Sequence, residues 1–405
     1  MANRKSSRRS NRRSNKSTAV SVIVILLILV IIVGVCVTLY FKNENFRLKV
    51  DGILSNYFDN TLDNGDQSGN NSGNNSSGNS FAEVLSDSNV SIHFLELGNK
   101  YTGDCTLIKC GDIEVLIDAG SRAGSAATIK SYVDQYCTDG VLEYVIATHA
   151  HQDHIAGFVG TKDAPSIFEA YVCETIIDFP LTNATSAVYK NYVTKRDAEV
   201  KEGAKHYTAL ECWNEENGAK RSYTLGEGVT LSILYNYYYE NTTTDENDYS
   251  VCCLLDNNGT YTLFTGDLEE KGEKYLVEKN DLPECKLFKG GHHGSYTASS
   301  DKLLSVIKPE IVCVCCCCGS TEYTKDAANV FPSQAFIDRV LKYTDNIYVT
   351  SIFDDITEGV NQETVEPLNG NIVVLFNKSG EVALNCSNNN KKFTETDWFL
   401  AHRKK

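Results

Sequence analysis

The sequence predicts a layered α/β sandwich that is built from two strand-rich halves. From Val90 onward, short apolar segments alternate with stretches of helical character. A region of mixed texture separates the segments of the first half from those of the second, and a hairpin follows near the C-terminus. Such interleaving is typical of layered α/β folds, and a chain of 405 residues with 42% hydrophobic residues can bury the core that such a fold needs.

The first half is predicted to contain four strands and one helix. The strands lie in SIHFLELG, CTLIKCG, IEVLIDAG and LEYVIATH, and the helix covers residues 125–136. The second half is predicted to contain strands in TLSILYN, SVCCLLDN, YTLFTGD, CKLFKGGHHG, IVCVCCCCG and NIYVTS, with helices near residues 269–278 and after Pro332. The closing hairpin is NIVVLFNKSGEVALNC, and its turn from Asn377 to Gly380 has residues that suit a hairpin.

Five cysteines fall between positions 313 and 318, within IVCVCCCCG. This run predicts a buried strand in which cysteine acts as a small hydrophobic residue. The alternative is a zinc ribbon, because Cys313 and Cys316 have CxxC spacing, but no second pair stands at the distance that a ribbon needs.

The N-terminal residues predict a membrane anchor. Residues 19–41 form an uncharged stretch rich in Val, Ile and Leu that is long enough to cross a bilayer as a helix. The basic residues before it predict that residues 1–18 are a cytoplasmic tail. The apolar run is too long for the alternative, a cleaved signal peptide. The protein is therefore expected in the cell membrane, as a single-pass protein with a cytoplasmic N-terminus and an extracytoplasmic catalytic domain.

Residues 42–88 are rich in Asn, Ser and Gly and predict a flexible linker. The folded domain is predicted to cover residues 89–388, and residues 389–405 are predicted to form a polar tail. The formal charge of the chain is -15, but residues 1–42 hold eight basic residues and no acid, which leaves -23 on the remainder. Such an acidic remainder gives no support to broad nucleic-acid binding. No sequence feature indicates a specific protein partner.

The segment THAHQDHIAG places three histidines and one aspartate within six positions, directly after a predicted strand. At the end of a strand, His149 and His151 send their imidazoles to the same side, which suits one divalent metal. Asp153 and His154 then face a second metal, and two metals close together can share and activate a water molecule. The other interpretation is a cluster of surface histidines.

HAHQDH resembles the H-x-H-x-D-H signature of the metallo-β-lactamase superfamily, whose members have an αββα sandwich. Asp118 in VLIDAG resembles the acid that organises the loops beneath the metals in that family, and Asp267 in LFTGD resembles the aspartate that bridges them. GGHHGS resembles the segment with the late histidine of the second metal site. The resemblance covers most of residues 90–386. The implied metal ligands are His149, His151, Asp153, His154, Asp267, His292 and His293, with two Zn²⁺ ions expected and Mn²⁺ as the alternative.

Within the superfamily, the sequence resembles the hydrolase domain of the DNA-uptake protein ComEC and the related phosphorylcholine esterases. FLELGNKYTGDCTLI resembles their opening motif F-L-D-V-G-Q-G-D-A with an insertion between the glycines, and KGGHHGS followed by KPEIVCV is also similar. Two positions depart from the pattern. Glu96 stands where the family has Asp, and Phe331 stands where such domains often have His before Pro-Ser.

Many superfamily members supply a third histidine to the first metal between the H-x-H-x-D-H segment and the bridging aspartate. Only His206 lies in that interval, and its surroundings, EGAKHYTALE, do not resemble that motif. His206 is therefore either a ligand or a surface histidine near a helix end. Without it, His149, His151, Asp267 and water would hold the first metal.

The predicted catalytic residues are Asp153, His292 and His293. Neighbours on an extended segment point apart, so one of the two adjacent histidines is expected to bind metal. The other would contact the substrate or donate a proton to the leaving group. Lys289 either helps to hold an anionic substrate or is a solvated lysine.

The resemblance and the residues together predict a metal-dependent hydrolase. Its expected reaction is the hydrolysis of a phosphodiester by metal-activated water, with DNA or a phosphodiester of the cell envelope as substrate. An amide or lactone hydrolase of the same superfamily is one alternative. A non-catalytic surface domain that binds metal or ligand is another, because the third histidine is absent.

Overall fold

The computed structural model describes residues 86–357, 359 and 362–404. The predicted cytoplasmic tail, the predicted membrane helix and most of the predicted linker, up to residue 85, lie outside the described residues. Within the described part of the chain, no helix has both the length and the apolar character needed to cross a membrane.

The described strands form two mixed sheets of eight strands each. The first sheet has the spatial order β16-β15-β1-β2-β3-β4-β5-β6. Its strands are β1 (Ser88–Phe94), β2 (Thr106–Cys110), β3 (Ile113–Ile117), β4 (Val141–Ile146), β5 (Val172–Asp178), β6 (Lys205–Thr208), β15 (Ile372–Asn377) and β16 (Val382–Cys386). Neighbours from β16 to β3 pair antiparallel, whereas β3 to β6 pair in parallel.

The second sheet has the spatial order β14-β13-β12-β11-β10-β9-β8-β7. Its strands are β7 (Ser222–Gly226), β8 (Val229–Ile233), β9 (Cys253–Asn257), β10 (Thr260–Phe264), β11 (Leu287–Lys289), β12 (Ile311–Cys318), β13 (Ile347–Ile352) and β14 (Glu366–Pro367). Neighbours from β10 to β13 pair in parallel, and the remaining pairs are antiparallel.

The described helices connect the strands. Those in the first half are α1 (Ser125–Val133), α2 (Gln152–Ile155), α3 (Ile167–Ala170), α4 (Ala187–Glu202) and α5 (Ala209–Asn214). Those in the second half are α6 (Glu270–Lys279), α7 (Asp301–Ile307), α8 (Gln334–Val340) and α9 (Asp397–His402). Short 3-10 turns occur at Ala156–Phe158, Tyr237–Tyr239, Glu246–Tyr249, Gly291–Gly294 and Phe393–Glu395.

The strand β12 shows how the layers pack. Its cysteines alternate between two hydrophobic clusters, because successive side chains of a strand point to opposite faces. Cys313 and Cys315 join a cluster that contains residues of both sheets, such as Val374 of β15. Cys316 and Cys318 join a cluster with residues of α7, α8 and α9. The second sheet is therefore covered by the first sheet on one face and by helices on the other.

The cysteine run confirms the prediction of a buried strand. All residues of β12 after Ile311 are buried, as expected for a central strand in a parallel part of a sheet. Among the described residues, fourteen cysteines are free thiols, and all of them are buried. The predicted strands of both halves and the terminal hairpin are also present, with ends that differ by a few residues.

Two regions differ from the sequence predictions. The region of mixed texture contains β5, β6, β7 and α4, which were not predicted. Residues 389–405, predicted as a polar tail, contain α9 and a 3-10 turn in the described part. The reason is apolar burial, since Phe393, Trp398 and Phe399 are at most 5% exposed and pack in the same cluster as α7 and α8.

Candidate metal centre

The histidine segment lies where β4 leaves the first sheet. Thr148 and His149 follow the strand and are buried, whereas His151 is exposed. His151 has extended backbone angles and directly precedes the short helix α2, which turns Asp153 and His154 back into the protein. The sequence predicted that the H-x-H pair directly follows a strand, and the structure confirms this order.

Asp118 holds this segment in place through hydrogen bonds to Thr148 and His154. It follows β3 with a positive φ of 60°, and its carboxylate accepts hydrogen bonds from the amide and the hydroxyl of Thr148, at 2.7 and 2.8 Å. Nδ1 of His154 also lies 2.7 Å from Oδ2 of Asp118. Because Nδ1 is held in this way, Nε2 of His154 faces the centre of the site. Asp118 thus has the organising position that the resemblance implied.

A buried cluster of possible metal ligands, the inner cluster, consists of Asp104, His154, Asp267 and His293. One ligand atom from each residue lies within 4.8 Å of all the others. Oδ2 of Asp267 is 3.1 Å from Nε2 of His154 and 3.2 Å from Nε2 of His293. The two Nε2 atoms are themselves 3.2 Å apart. Three of these residues were predicted as ligands, and Asp104 was not.

Asp104 lies opposite Lys289 at the base of the inner cluster. Nζ of Lys289 is 2.5 Å from Oδ2 of Asp104, and both residues are at most 3% exposed. Burial would lower the pKa of Lys289, but the charges of Asp104 and Asp267 outweigh it and raise this pKa. Lys289 is therefore a buried partner of Asp104, and neither predicted role, substrate contact or solvated lysine, matches this position. The sequence signal for Asp104 was its place in the opening segment NKYTGDC.

His149 and His151 form a second group, the outer pair. Nε2 of His149 lies 3.0 Å from Nδ1 of His151, so both nitrogens face nearly the same point. Nδ1 of His149 is 3.2 Å from the hydroxyl of Thr148 and 3.4 Å from that of Ser250. The rings of His149 and His154 are 4.1 Å apart between centroids, so the outer pair is adjacent to the inner cluster.

The adjacent histidines of GGHHGS do not lie on an extended segment. His292 and His293 have positive φ angles of 47° and 54° within a 3-10 turn. Both rings consequently approach Asp267, with Nε2 of His292 at 3.8 Å and Nε2 of His293 at 3.2 Å from its Oδ2. The prediction that the two side chains point apart assumed an extended segment, and this assumption is wrong. They differ in burial, since His293 is inaccessible and the side chain of His292 is 18% exposed.

Their second nitrogens also have different partners. Nδ1 of His293 lies 2.8 Å from the backbone oxygen of Cys315, which fixes the ring. Nδ1 of His292 lies 3.3 Å from Oε1 of Glu269 and 3.1 Å from the hydroxyl of Thr297. His292 is therefore the one of the two that faces the solvent-accessible side.

His206 has another role in this structure. It lies on β6, and its Nε2 is 2.8 Å from Oδ1 of Asp178. The second oxygen of Asp178 accepts hydrogen bonds from Tyr192 and Arg196. His206 thus belongs to a polar network at the end of β5 and is partly exposed, which favours the surface-histidine interpretation over the ligand interpretation.

The charges of the site fit a divalent cation. Burial would lower the pKa of His154 and His293, but nearby carboxylates, Asp267 foremost, outweigh burial and raise both pKa values. The carboxylates therefore favour positive charge at this point, which a bound cation would supply. Oδ1 of Asp267 is buried and has no hydrogen-bond partner in the described part of the chain. Such an oxygen is suited to a metal, so these residues fit the group.

A cavity of about 720 Å³ opens beside the metal centre. Tyr323 covers part of it and donates a hydrogen bond of 2.6 Å to Oδ2 of Asp153. Arg122 at the rim pairs with Glu322 at 2.5 Å. The lining residues are Arg122, His151, Gln152, Asp153, Asn247, Asp267, Glu269, His292, Ser295, Tyr296, Thr297, Glu322, Tyr323, Thr324, Asn329 and Phe331.

The fold and the site are similar to those of the metallo-β-lactamase superfamily. Residues 98–175 match the family model described as "Metallo-beta-lactamase superfamily". The chain is similar to Recombination protein 2 of Haemophilus influenzae, with 25% identity over 284 residues. These residues are 70% of this chain and 30% of the relative, so the chain spans less than a third of that relative's length.

Two solved structures are also similar to this chain. The metallo-beta-lactamase fold protein YhfI from Bacillus subtilis is 12% identical, with a TM-score of 0.36, over 65% of this chain and 96% of that protein. CmlA, a diiron beta-hydroxylase from Streptomyces venezuelae, is 10% identical, with a TM-score of 0.33, over 62% of this chain and 47% of that protein.

Proposed function

We propose that this protein is a metal-dependent phosphodiesterase that acts outside the cell membrane, to which residues 19–41 anchor it. The observation that carries the proposal is the convergence of the outer pair and the inner cluster beside an open cavity of about 720 Å³. Divalent ions bound there, Zn²⁺ or Mn²⁺, would supply Lewis acidity, neutralise phosphoryl charge and lower the pKa of a water molecule.

The chain's own residues would position the substrate and move protons. Asp153 lines the cavity, and the hydroxyl of Tyr323 holds its carboxylate in one orientation. His292 is the partly exposed histidine, and Glu269 and Thr297 orient its Nδ1. Its Nε2 lies 3.8 Å from Oδ2 of Asp267, in a residue that lines the cavity, and would donate a proton to the leaving group there. The predicted roles of Asp153 and His292 in catalysis are retained in this proposal.

A phosphodiester of the cell envelope suits the cavity better than DNA does. The lining contains one guanidinium, from Arg122, and four carboxylates, from Asp153, Asp267, Glu269 and Glu322. Bound metal would neutralise Asp153 and Asp267, and Glu322 pairs with Arg122. The formal charge of -23 on the chain after residue 42 nevertheless disfavours a polyanion such as DNA. The similarity to Recombination protein 2 favours DNA as the second candidate substrate.

The proposal predicts hydrolysis of bis-p-nitrophenyl phosphate by the full-length protein in detergent after addition of Zn²⁺ or Mn²⁺. Asp267→Asn should abolish this activity, whereas Asp338→Asn, which changes an exposed carboxylate on α8, should retain it. A comparison of the turnover rates of a phosphocholine ester and of single-stranded DNA would distinguish the two substrate classes. Absence of metal-dependent turnover on every phosphodiester, with two equivalents of metal bound, would favour a binding module.

The proposed topology has a separate test. Protease added to intact cells should remove the folded domain from the cell surface and leave the N-terminal tail protected. Protection of the folded domain until the membrane is permeabilised would contradict the proposed orientation.

A further inference from the structure

The outer pair contacts a loop that the sequence motifs do not include. This loop, residues 245–251, lies between β8 and β9 and packs along the H-x-H segment. The amide of Val251 donates to the carbonyl of Thr148 at 2.8 Å, and the amide of Ala150 donates to Oε1 of Glu246 at 3.3 Å. These contacts place the 3-10 turn Glu246–Tyr249 beside the backbone of the H-x-H segment, and the hydroxyl of Ser250, which follows the turn, lies 3.4 Å from Nδ1 of His149.

This turn contains Asn247, whose amide oxygen has no hydrogen-bond partner among the described residues. Its side chain is buried, and its Oδ1 accepts no hydrogen bond within the described part of the chain. Its Nδ2 donates to Oε1 of Glu269 at 3.4 Å. Because a carboxylate only accepts, this contact fixes the orientation of the amide and turns Oδ1 away from Glu269. Asn247 lines the same cavity as His151, Asp153 and Asp267.

We propose that Oδ1 of Asn247 is a further protein ligand of the metal ion that His149 and His151 bind, in place of the missing third histidine. A buried carbonyl oxygen needs a partner, and a cation beside the outer pair would supply one. His206, the histidine that could have taken this role, is hydrogen-bonded to Asp178 instead. The inference shares the metal centre with the proposed function but does not depend on which reaction occurs there.

The ligand type determines the metal preference of this position. An amide oxygen is a hard, neutral donor, whereas a third imidazole would favour Zn²⁺. The ion at the outer pair is therefore held more weakly than the ion at the inner cluster, and Mn²⁺ competes there better than it would at a site with three histidines. The two metal positions of the protein are unequal for this reason.

The test is the binding of Mn²⁺ to the metal-free, full-length protein, measured by electron paramagnetic resonance of the free ion. The wild type should bind two equivalents with unequal affinity. Asn247→Ala should weaken the lower-affinity equivalent by about tenfold or more and leave the other unchanged. Asn247→Asp, which keeps an oxygen at this position, should retain both equivalents. Asn241→Ala is the matched control, because Asn241 precedes the loop and bonds to the carbonyl of Tyr237.

A double-mutant cycle with His151→Ala identifies the affected position. If Asn247 and His151 bind the same ion, the double variant should lose no more affinity than the more severe single variant. Additive losses, unchanged binding in Asn247→Ala, or a wild type that binds fewer than two equivalents would each overturn the inference. Two bound equivalents without phosphodiester turnover would instead overturn only the proposed function. Thermal unfolding of the metal-free variants confirms that each one folds.

Discussion

Lys289 and Asp104 form a buried ion pair next to the candidate metal ligands. Both are buried, and Asp104 also lies near the rings of His154 and His293. A buried ion pair gives little net stability, but removal of one partner leaves the other charge uncompensated in a medium of low polarity. The pair therefore constrains which single substitutions the site tolerates.

Replacement of Lys289 by Met should destabilise the metal-free protein by about 3–5 kcal/mol, because Asp104 then remains buried without its cation. The double variant Asp104→Asn with Lys289→Met should recover part of this loss. Chemical denaturation measures both effects. Lys286→Met is the control, because Lys286 is in a partly exposed pair with Glu310 and its loss should change stability by no more than about 0.5 kcal/mol. A fully stable Lys289→Met protein would contradict the expectation.

Glu273 on α6 is a buried acid outside the metal ligands. Its carboxylate accepts hydrogen bonds from the amides of Ser299 and Ser300, at 2.5 and 2.7 Å. The hydroxyl of Ser299 in turn accepts from the amide of Gly291, just before the late histidines. Burial raises the pKa of Glu273 from 4.5 to about 7, despite these hydrogen bonds and the nearby Arg339.

This raised pKa predicts a pH-dependent loss of stability. The folded state holds the proton of Glu273 more tightly than the unfolded state, so stability decreases as pH rises from about 4.5 through about 7. The shift corresponds to a change on the order of 3 kcal/mol. Relative to Glu273→Gln, the metal-free wild type should therefore lose stability across this interval. Glu270→Gln, an exposed change on the same helix, is the control. A constant difference between wild type and Glu273→Gln would contradict the raised pKa.

At the residue scale, the sequence identified the parts of the site that are close together in the chain. The H-x-H-x-D-H segment could be recognised because six consecutive positions supply its chemistry. Asp104 and Lys289 could not be paired from the sequence, since 185 positions separate them and only the packing of the two sheets brings them together. The role proposed for Asn247 was missed for a similar reason, because it follows from an oxygen that has no hydrogen-bond partner among the described residues and not from a pattern in the sequence.

At the element scale, apolar periodicity explains which elements were predicted. Strands such as β12 have continuous apolar runs, which identify them as buried. The helix α4 has sixteen residues, but only Tyr192 and Glu199 are buried, so no apolar stripe marks it. The helix α9 is short and lies in a polar segment, and its contribution depends on contacts with distant helices.

The helix α9 also supports the wall of the cavity. Trp398 is buried, and Arg403 donates hydrogen bonds to the carbonyls of Val330 and Pro332 at 2.9 Å. These carbonyls flank Phe331, which lines the cavity. The C-terminal segment thus contributes to the shape of the site without providing a ligand.

Trp398→Ala should destabilise the protein by about 3–5 kcal/mol, because it removes a large side chain from the core. Leu400→Ala on the same helix should have little effect, since Leu400 is 66% exposed. Both are measured by thermal or chemical denaturation. Truncation after Asn388 should be more severe than either change. A truncated protein as stable as the full chain would show that α9 is dispensable.

At the scale of the whole molecule, the candidate metal centre contains residues from both sheets. His149 and His154 follow β4 of the first sheet, whereas Asp267 and His293 follow β10 and β11 of the second. The core between the sheets contains buried residues of both, so the two halves should unfold together. A bound ion that contacts side chains from both halves would add to this coupling.

Removal of metal should therefore lower the stability of the entire domain in one cooperative transition. An ion that binds only the folded state stabilises it by about 4 kcal/mol when its concentration is a thousand times its dissociation constant. Calorimetry should show one transition that shifts to lower temperature with a chelator and returns when Zn²⁺ or Mn²⁺ is added. In Asp267→Asn, the transition temperature should change much less on removal of metal, because this variant lacks the carboxylate that lies beside His154 of the first half. Asp338→Asn should behave like the wild type. Two separate transitions, or a shift that persists in Asp267→Asn, would mean that the ion binds elsewhere and does not connect the sheets.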